Sequence, residues 1–155
     1  MNDKISIILP TFNRANLLQK SIQSVLDQTY TNWELIIINN SSLDDTLEVI
    51  KKAESKKINI INIDNSGILA KSKNAGIQIA QGEWIAFLDD DDYWYPNKLE
   101  VAMKYEKKNK PDFMFHPLHI VSDEKRIFNK IIYRSNHIPR KPVLLDLIKN
   151  GNYIA

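Results

Sequence analysis

The chain has 155 residues, 43% of them hydrophobic, 26% charged and 9% aromatic, with a net charge of +2. This composition excludes a disordered chain, and 4 Gly with 6 Pro exclude collagen-like or linker character. The absence of Cys excludes disulfides, thiol nucleophiles and thiolate metal sites.

At this length one domain with a real core is the expectation. No apolar run approaches the ~20 residues of a membrane span, and Met1-Asn2-Asp3-Lys4 does not open like a signal peptide. The small net charge hides an asymmetry. Residues 1–100 hold 10 basic and 14 acidic side chains, whereas residues 101–155 hold 11 and 5. Such a basic tail suits an anionic lipid or phosphate surface, although a solvated Lys-rich exterior explains it more simply. Nucleic acid is not expected as a partner, because no recognition motif is interleaved with the basic residues.

In chain order, the first predicted strand is Ile5–Leu9, followed by a helix whose apolar stripe is Leu18, Ile22, Val25 and Leu26. Leu35–Ile38 is a second strand. Leu47 and Ile50 begin a second helix, which Ser42 and Asp45 are placed to start as a capping box. Ile58–Ile63 is a third strand. Leu69, Lys73, Gly76, Ile77 and Ala80 share one side of a third helix, where small residues permit close approach to a sheet. Trp84–Leu88 is the fourth strand. The first, second and fourth runs are nearly continuous, as in strands covered on both faces. Strands alternating with helices mean right-handed βαβ units and a mainly parallel sheet, an α/β fold.

After Asp92 the pattern changes. Pro96 suits the first turn of a helix carrying Leu99, Met103 and Glu106. Phe113–Val121 and Ile127–Tyr133 flank a turn at Asp123-Glu124. Lys141–Lys149 reads as a last helix, and Asn152–Ala155 as a strand beginning. The expected division is a βαβ core over 1–92 and a different region over 93–155.

Ligands in an open parallel sheet bind beyond the carboxyl ends of the strands. Those ends here are Pro10-Thr11-Phe12-Asn13-Arg14, Asn39-Asn40-Ser41-Ser42, Asp64-Asn65-Ser66-Gly67 and Asp89-Asp90-Asp91-Asp92. Asn, Ser and Asp are ordinary turn residues, so three of the four carry little weight alone. The run of four Asp is different. Adjacent carboxylates repel, and nothing near them in sequence is cationic until Lys98. One or two acids would serve the dipole of the helix at Pro96, and four exceed that need. Hard carboxylate oxygens point to Mg²⁺ or Mn²⁺ shared with phosphates. No glycine-rich dinucleotide or Walker loop is present, and His116 and His119 fall on opposite faces of a predicted strand.

At these residues the sequence resembles the family 2 glycosyltransferases, inverting nucleotide-sugar enzymes with a Rossmann-like A-type fold. Ile5–Arg14, Ser24–Tyr30, Glu34–Ile38 with Ser42 and Asp44-Asp45-Thr46, and Gly82–Asp92 with Trp94 and Pro96 carry the likeness, firmly over about residues 4–105. The resemblance implies that Pro10, Thr11, Phe12 and Asn13 line the pocket for the base, usually uracil. Asn39 and Asn40 stand where the family usually has two acids, and Ser41 where a Gly is common. Asn can still accept from a base N–H while adding a donor. Lys73, before Asn74, replaces a frequent Arg near the base or phosphates and loses its planar fork. Asp89 and Asp91 map to the Asp-x-Asp motif: Asp91 would hold the metal, and Asp89 or Asp90 would approach the ribose or the metal's water shell.

The resemblance therefore implies a nucleotide-diphosphate-sugar donor, a saccharide or lipid-linked saccharide acceptor and an Mn²⁺ or Mg²⁺ cofactor. The location it implies is cytoplasmic, at most peripheral to the membrane. The family's general base lies in an acceptor-binding half whose acidic signature has no match after Asp92; Asp112, Asp123, Glu124 and Asp146 lack its context. Asn150–Ala155 resembles the entry into that half. The chain thus reads as a donor-binding domain over 1–155, incomplete and by itself inactive in transfer, which leaves a purely nucleotide-binding module as the alternative. A phospho-receiver domain would need acids after the first strand, where Pro10-Thr11-Phe12-Asn13 stands.

Overall fold

The computed structural model describes residues 3–53 and 55–114, and the backbone pairing of 118–119 with 132–133. The chain divides into two compact units, Met1–Asn109 and Lys110–Ala155. In the first, the elements follow as β1 (Ile5–Thr11), α1 (Ala15–Leu26), β2 (Trp33–Asn39), α2 (Thr46–Lys52), β3 (Ile58–Asn62), α3 (Leu69–Ile79), β4 (Trp84–Phe87) and α4 (Lys98–Asn109). In the second, β5 (Leu118–His119) pairs antiparallel with β6 (Ile132–Tyr133). These pairs fall inside the two predicted strands. The predicted helix Lys141–Lys149 and strand Asn152–Ala155 lie outside the described residues.

The four main strands form one parallel sheet in the order β3-β2-β1-β4. The alternation of side chains along a strand divides its isoleucine-rich sequence between two cores. Ile5, Ile7 and Leu9 of β1 and Leu35 and Ile37 of β2 pack against Leu18, Ile22 and Val25 of α1, Ile50 of α2 and Leu99 and Met103 of α4. Ile8, Ile36 and Ile38 point the other way, where α3 lies. Every residue of β1 and β2 is buried, and each such Ile or Leu contributes roughly 1.5–3 kcal/mol of transfer free energy.

On the second face α3 comes close because Gly76 has no side chain. A Cβ there would stand 2.8 Å from Ile8 Cγ2 and 2.9 Å from Ile38 Cδ1. Two details differ from the sequence expectation. Leu69 and Ile77 are exposed, and the helix instead buries Ser72 with Gly76, since small side chains are what that distance admits. Among the described residues β4 ends the sheet, and its run is only partly buried, with Phe87 48% exposed.

The opposite end of the sheet is pinned by a buried acid. Glu34 at the start of β2 accepts from the Ser6 hydroxyl (2.6 Å) and the Gln81 N–H (2.8 Å) and pairs with Lys4 (3.2 Å). Beside it Gly82 runs against β1, where a Cβ would meet the Lys4 carbonyl and the Ser6 nitrogen at 2.6 Å.

Candidate functional site

The strand order reverses between β1 and β4: the chain proceeds outward from β1 to β2 and β3, then returns to the other side of β1. Loops leaving two strands at such a point diverge and leave a crevice. A cleft of about 350 Å³ lies there. Pro10, Thr11, Phe12 and Arg14 line it from the end of β1, and Asn40 from the end of β2. Asn65 follows β3, Leu69 and Ser72 belong to α3, and Asp89, Asp90 and Asp91 follow β4. All four strand ends thus converge on one rim.

The turns that produce this rim use left-handed backbone at Asn13 (φ 52°), Ser41 (φ 52°), Ser66 (φ 54°) and Gly67 (φ 77°). Asn adopts that conformation readily, and Ser41 keeps it without glycine while its hydroxyl donates to the Ile63 carbonyl (3.0 Å). The predicted Ser42–Asp45 capping box does not form: Asp45 makes no side-chain cap bond. Ser42 Oγ instead accepts from the Asn13 N–H (3.0 Å). Asp44 does the capping, accepting from the Thr46 N–H (3.1 Å) and the Ala15 N–H (3.0 Å). One carboxylate thereby serves the N-termini of α2 and α1. The Thr46 hydroxyl and these N–H groups hold its pKa below the ordinary range.

The acidic turn after β4 is held from behind by α1. The Ser21 hydroxyl sits between the carbonyls of Asp90 (3.0 Å) and Asp92 (2.6 Å). Gln28 donates to the Tyr95 carbonyl (2.9 Å) and accepts from the Leu99 N–H (3.0 Å), joining the turn to the first turn of α4. Pro96 lies just before that helix, its carbonyl accepting from the Thr29 N–H (2.8 Å). The carboxylates themselves differ. Asp90 is buried, with one oxygen taken by the Thr11 hydroxyl (2.8 Å) and the other by Arg14 (3.0 Å). The side chains of Asp89 and Asp91 are half exposed, Asp89 pairing with Lys73 (3.1 Å) and Asp91 with Arg14 (2.9 Å). Asp90 first, then Asp91, raises the Arg14 pKa. Asp89, Asp90 and Asp91 are therefore balanced by Arg14 and Lys73, two cations that are distant in sequence.

Of the residues expected at the site, Pro10, Thr11, Phe12, Asn40, Asp89, Asp90 and Asp91 meet in the cleft. Phe12 is 51% exposed. The Asn40 oxygen accepts from the Asn65 N–H (2.7 Å). The other three are not part of the lining. Asn39 is buried, donating to Asn62 Oδ1 (2.8 Å) and accepting from the Ser42 N–H (3.2 Å). Asn13 accepts from the Leu43 N–H (2.7 Å) and ties two loops together. Lys73 lies over the Phe87 ring (5.4 Å) and reaches the cleft through Asp89.

The sequence reading gave no role to Arg14, Asn65, Leu69 or Ser72. Arg14 and Asn65 lie in strand-end stretches that the reading did single out. Ser72 carries no sequence signal; its hydroxyl accepts from Asn65 Nδ2 (2.8 Å). Among the described residues, no three His, Asp or Glu side chains converge as a complete metal cage. No helix among them is long and apolar enough to cross a membrane.

Comparison with known proteins agrees with this architecture. The sequence model of glycosyl transferase family 2 matches residues 6–152. The chain belongs to glycosyl transferase family 2. Within the family it is 34% identical, over 94% of its length, to an Escherichia coli protein named UDP-Glc:alpha-D-GlcNAc-diphosphoundecaprenol beta-1,3-glucosyltransferase WfgD. It is 28% identical, again over 94%, to the putative teichuronic acid biosynthesis glycosyltransferase TuaG of Bacillus subtilis. Among solved structures, S. aureus TarS 1-349 in complex with UDP-GlcNAc superposes with a TM-score of 0.66, covering 69% of this chain at 27% identity. The family 2 chain described here spans 55% and 57% of the two curated relatives and 32% of that TarS chain. Its fold is the A-type α/β architecture shared with such enzymes.

Proposed function

We propose that this chain forms the donor-binding part of a metal-assisted, inverting glycosyltransferase. It would take a nucleoside-diphosphate sugar, a UDP-sugar by preference, and serve transfer to a hydroxyl of a saccharide or lipid-linked saccharide in polysaccharide or glycoconjugate synthesis. One observation carries the reading: two half-exposed carboxylates, Asp89 and Asp91, stand at the rim of a cleft built at the switch point of a parallel sheet. The names of the E. coli relative and of the TarS complex support the uridine nucleotide and, for the former, a lipid-linked acceptor.

The donor set fits a hard divalent ion shared with a diphosphate. Two carboxylates offer oxygen ligands without closing a cage, and phosphate oxygens would complete the shell. Mn²⁺ or Mg²⁺ there would supply Lewis-acid stabilisation of the leaving diphosphate. The chain's own residues do the rest of donor binding. Phe12 and Leu69 offer apolar surface to the base, and Asn40, whose oxygen is engaged by Asn65, offers its Nδ2 as donor. Asp90 and Thr11 fix the turn that aims Asp89 and Asp91, while Lys73 provides positive charge beside the diphosphate. The proposed place of action is the cytoplasmic side of the membrane that carries the acceptor.

Calorimetric titration of UDP, GDP, CDP and dTDP with and without Mn²⁺ tests this. The expected result is tightest binding for UDP, with affinity falling at least tenfold in EDTA. Equal affinity with and without the ion refutes the metal site, and a preference for GDP or CDP refutes the nucleotide.

A further inference from the structure

Arg14 touches two carboxylates through one nitrogen, and the two partners are unlike. Nη1 lies 3.0 Å from Asp90 Oδ1 and 2.9 Å from Asp91 Oδ2. The Asp90 side chain is 9% exposed and its other oxygen is taken by Thr11, so removing its counter-charge would leave a buried anion uncompensated. The Asp91 side chain is 50% exposed, and an ion pair that open to water is exchanged for hydration at little cost. The Arg14 side chain is itself 47% exposed, with a long stem, and can stay on Asp90 while releasing Asp91.

We propose that Arg14 is a positioning residue that occupies Asp91 as an internal cation while the cleft is empty and yields it to a divalent ion arriving with a nucleoside diphosphate, remaining on Asp90. The inference rests on the reading of Asp89 and Asp91 as the metal–diphosphate site. Arg14 already stands on Asp91 Oδ2, so a divalent ion on the same carboxylate meets a positive charge within a few ångströms, and the two cations compete for it. Arg14 thus keeps the acidic turn in shape before donor arrives. It also makes the free ion a poor ligand until diphosphate brings further oxygens.

Competition has a signature that a merely structural arginine lacks: removing Arg14 should tighten metal binding. Free Mn²⁺ is measured by electron paramagnetic resonance during titration of the wild-type chain, Arg14→Gln and Arg14→Lys, with and without UDP, after circular dichroism has confirmed folding. Without nucleotide, Arg14→Gln is expected to bind Mn²⁺ about twofold to fivefold more tightly than wild type, near the worth of one exposed ion pair. Arg14→Lys, a single-point cation lacking the fork, should fall between them. Should Arg14→Gln fail to fold, the Arg14 Nε–H resonance of the wild-type chain decides: it should shift when Mg²⁺ and UDP are added together, and not in Asp91→Asn. Equal or weaker Mn²⁺ affinity in both folded variants, or an unmoved resonance, overturns the competition while leaving the metal–diphosphate site intact. No Mn²⁺ binding by wild type even with UDP overturns both.

Discussion

Asp90 and Asp91 are adjacent, yet their replacement by Asn should have opposite consequences. Asp90 is 6% exposed and holds two donors, the Thr11 hydroxyl and the Arg14 guanidinium. Hydrogen bonds to a charged group are worth about 1.5–3 kcal/mol net, and an unsatisfied buried group adds a penalty. In Asp90→Asn one oxygen still accepts, but the new NH₂ faces a second donor. The loss is thus about one charged bond plus a mismatch, about 2–4 kcal/mol. Arg14 is half exposed and can turn to water, which keeps the cost below that of breaking a fully buried pair. Asp91 is an exposed partner whose pair is worth at most about 1 kcal/mol. Urea unfolding followed by circular dichroism should show a lowered midpoint with unchanged slope for Asp90→Asn and a near-native midpoint for Asp91→Asn. At about 4 °C per kcal/mol for a domain of this size, the melting temperatures should fall by about 8–16 °C and by less than about 4 °C. Calorimetry should show the reverse order of defect in Mn²⁺–UDP binding, with Asp91→Asn losing more than tenfold. Equal destabilisation by the two variants, or a neutral Asp90→Asn, would refute the division between a buried carboxylate that shapes the turn and an exposed one that meets ligand.

Gly82→Ala should cost more than Gly76→Ala in denaturant unfolding. Its Cβ meets backbone atoms of β1 that cannot give way, whereas Gly76 faces isoleucine methyl groups and overpacking there costs about 1–3 kcal/mol. Burial tends to raise the Glu34 pKa, but bonds from Ser6, Gln81 and Lys4 outweigh it, so the folded value lies below 4.5. Its contribution is present above the unfolded pKa and is lost as pH falls through the folded one; Glu34→Gln should flatten that acid limb in melting curves between pH 6 and 3. Burial lowers Lys98 to about 8, partly offset by Asp92. Because the unfolded chain then binds more protons between pH 8 and 10.5, Lys98 makes stability rise with pH across that window, and Lys98→Met should remove the rise. Asn40→Ala should weaken UDP more than pyrophosphate, a comparison that separates base contact from phosphate contact.

The sequence by itself determined the βα alternation, because strand and helix periodicities are local and short β-branched runs alternate here with segments of helical spacing. It also located the cleft, since the carboxyl ends of parallel strands share one edge whatever fills them. The Asp run was legible as a site because four like charges demand an explanation that turn chemistry does not give. Tertiary structure alone decided which of those acids is buried among protein partners and which stay half exposed at the cleft. Burial of Asp90 and exposure of Asp91 depend on where Thr11 and Arg14 lie, 79 and 76 residues before Asp90, and no local pattern encodes that distance. The same holds for Asn39 and Asn40, identical in chemistry and adjacent in sequence. Alternation along the end of β2 turns Asn39 to the cross-strand Asn62 and leaves Asn40 in the cleft. The capping box failed for a related reason: Ser42 and Asp44 have alternative partners at the start of α1, which a window confined to α2 does not contain. Local periodicity fixes elements, whereas hydrogen-bond partners across the sheet fix which polar side chains remain to act.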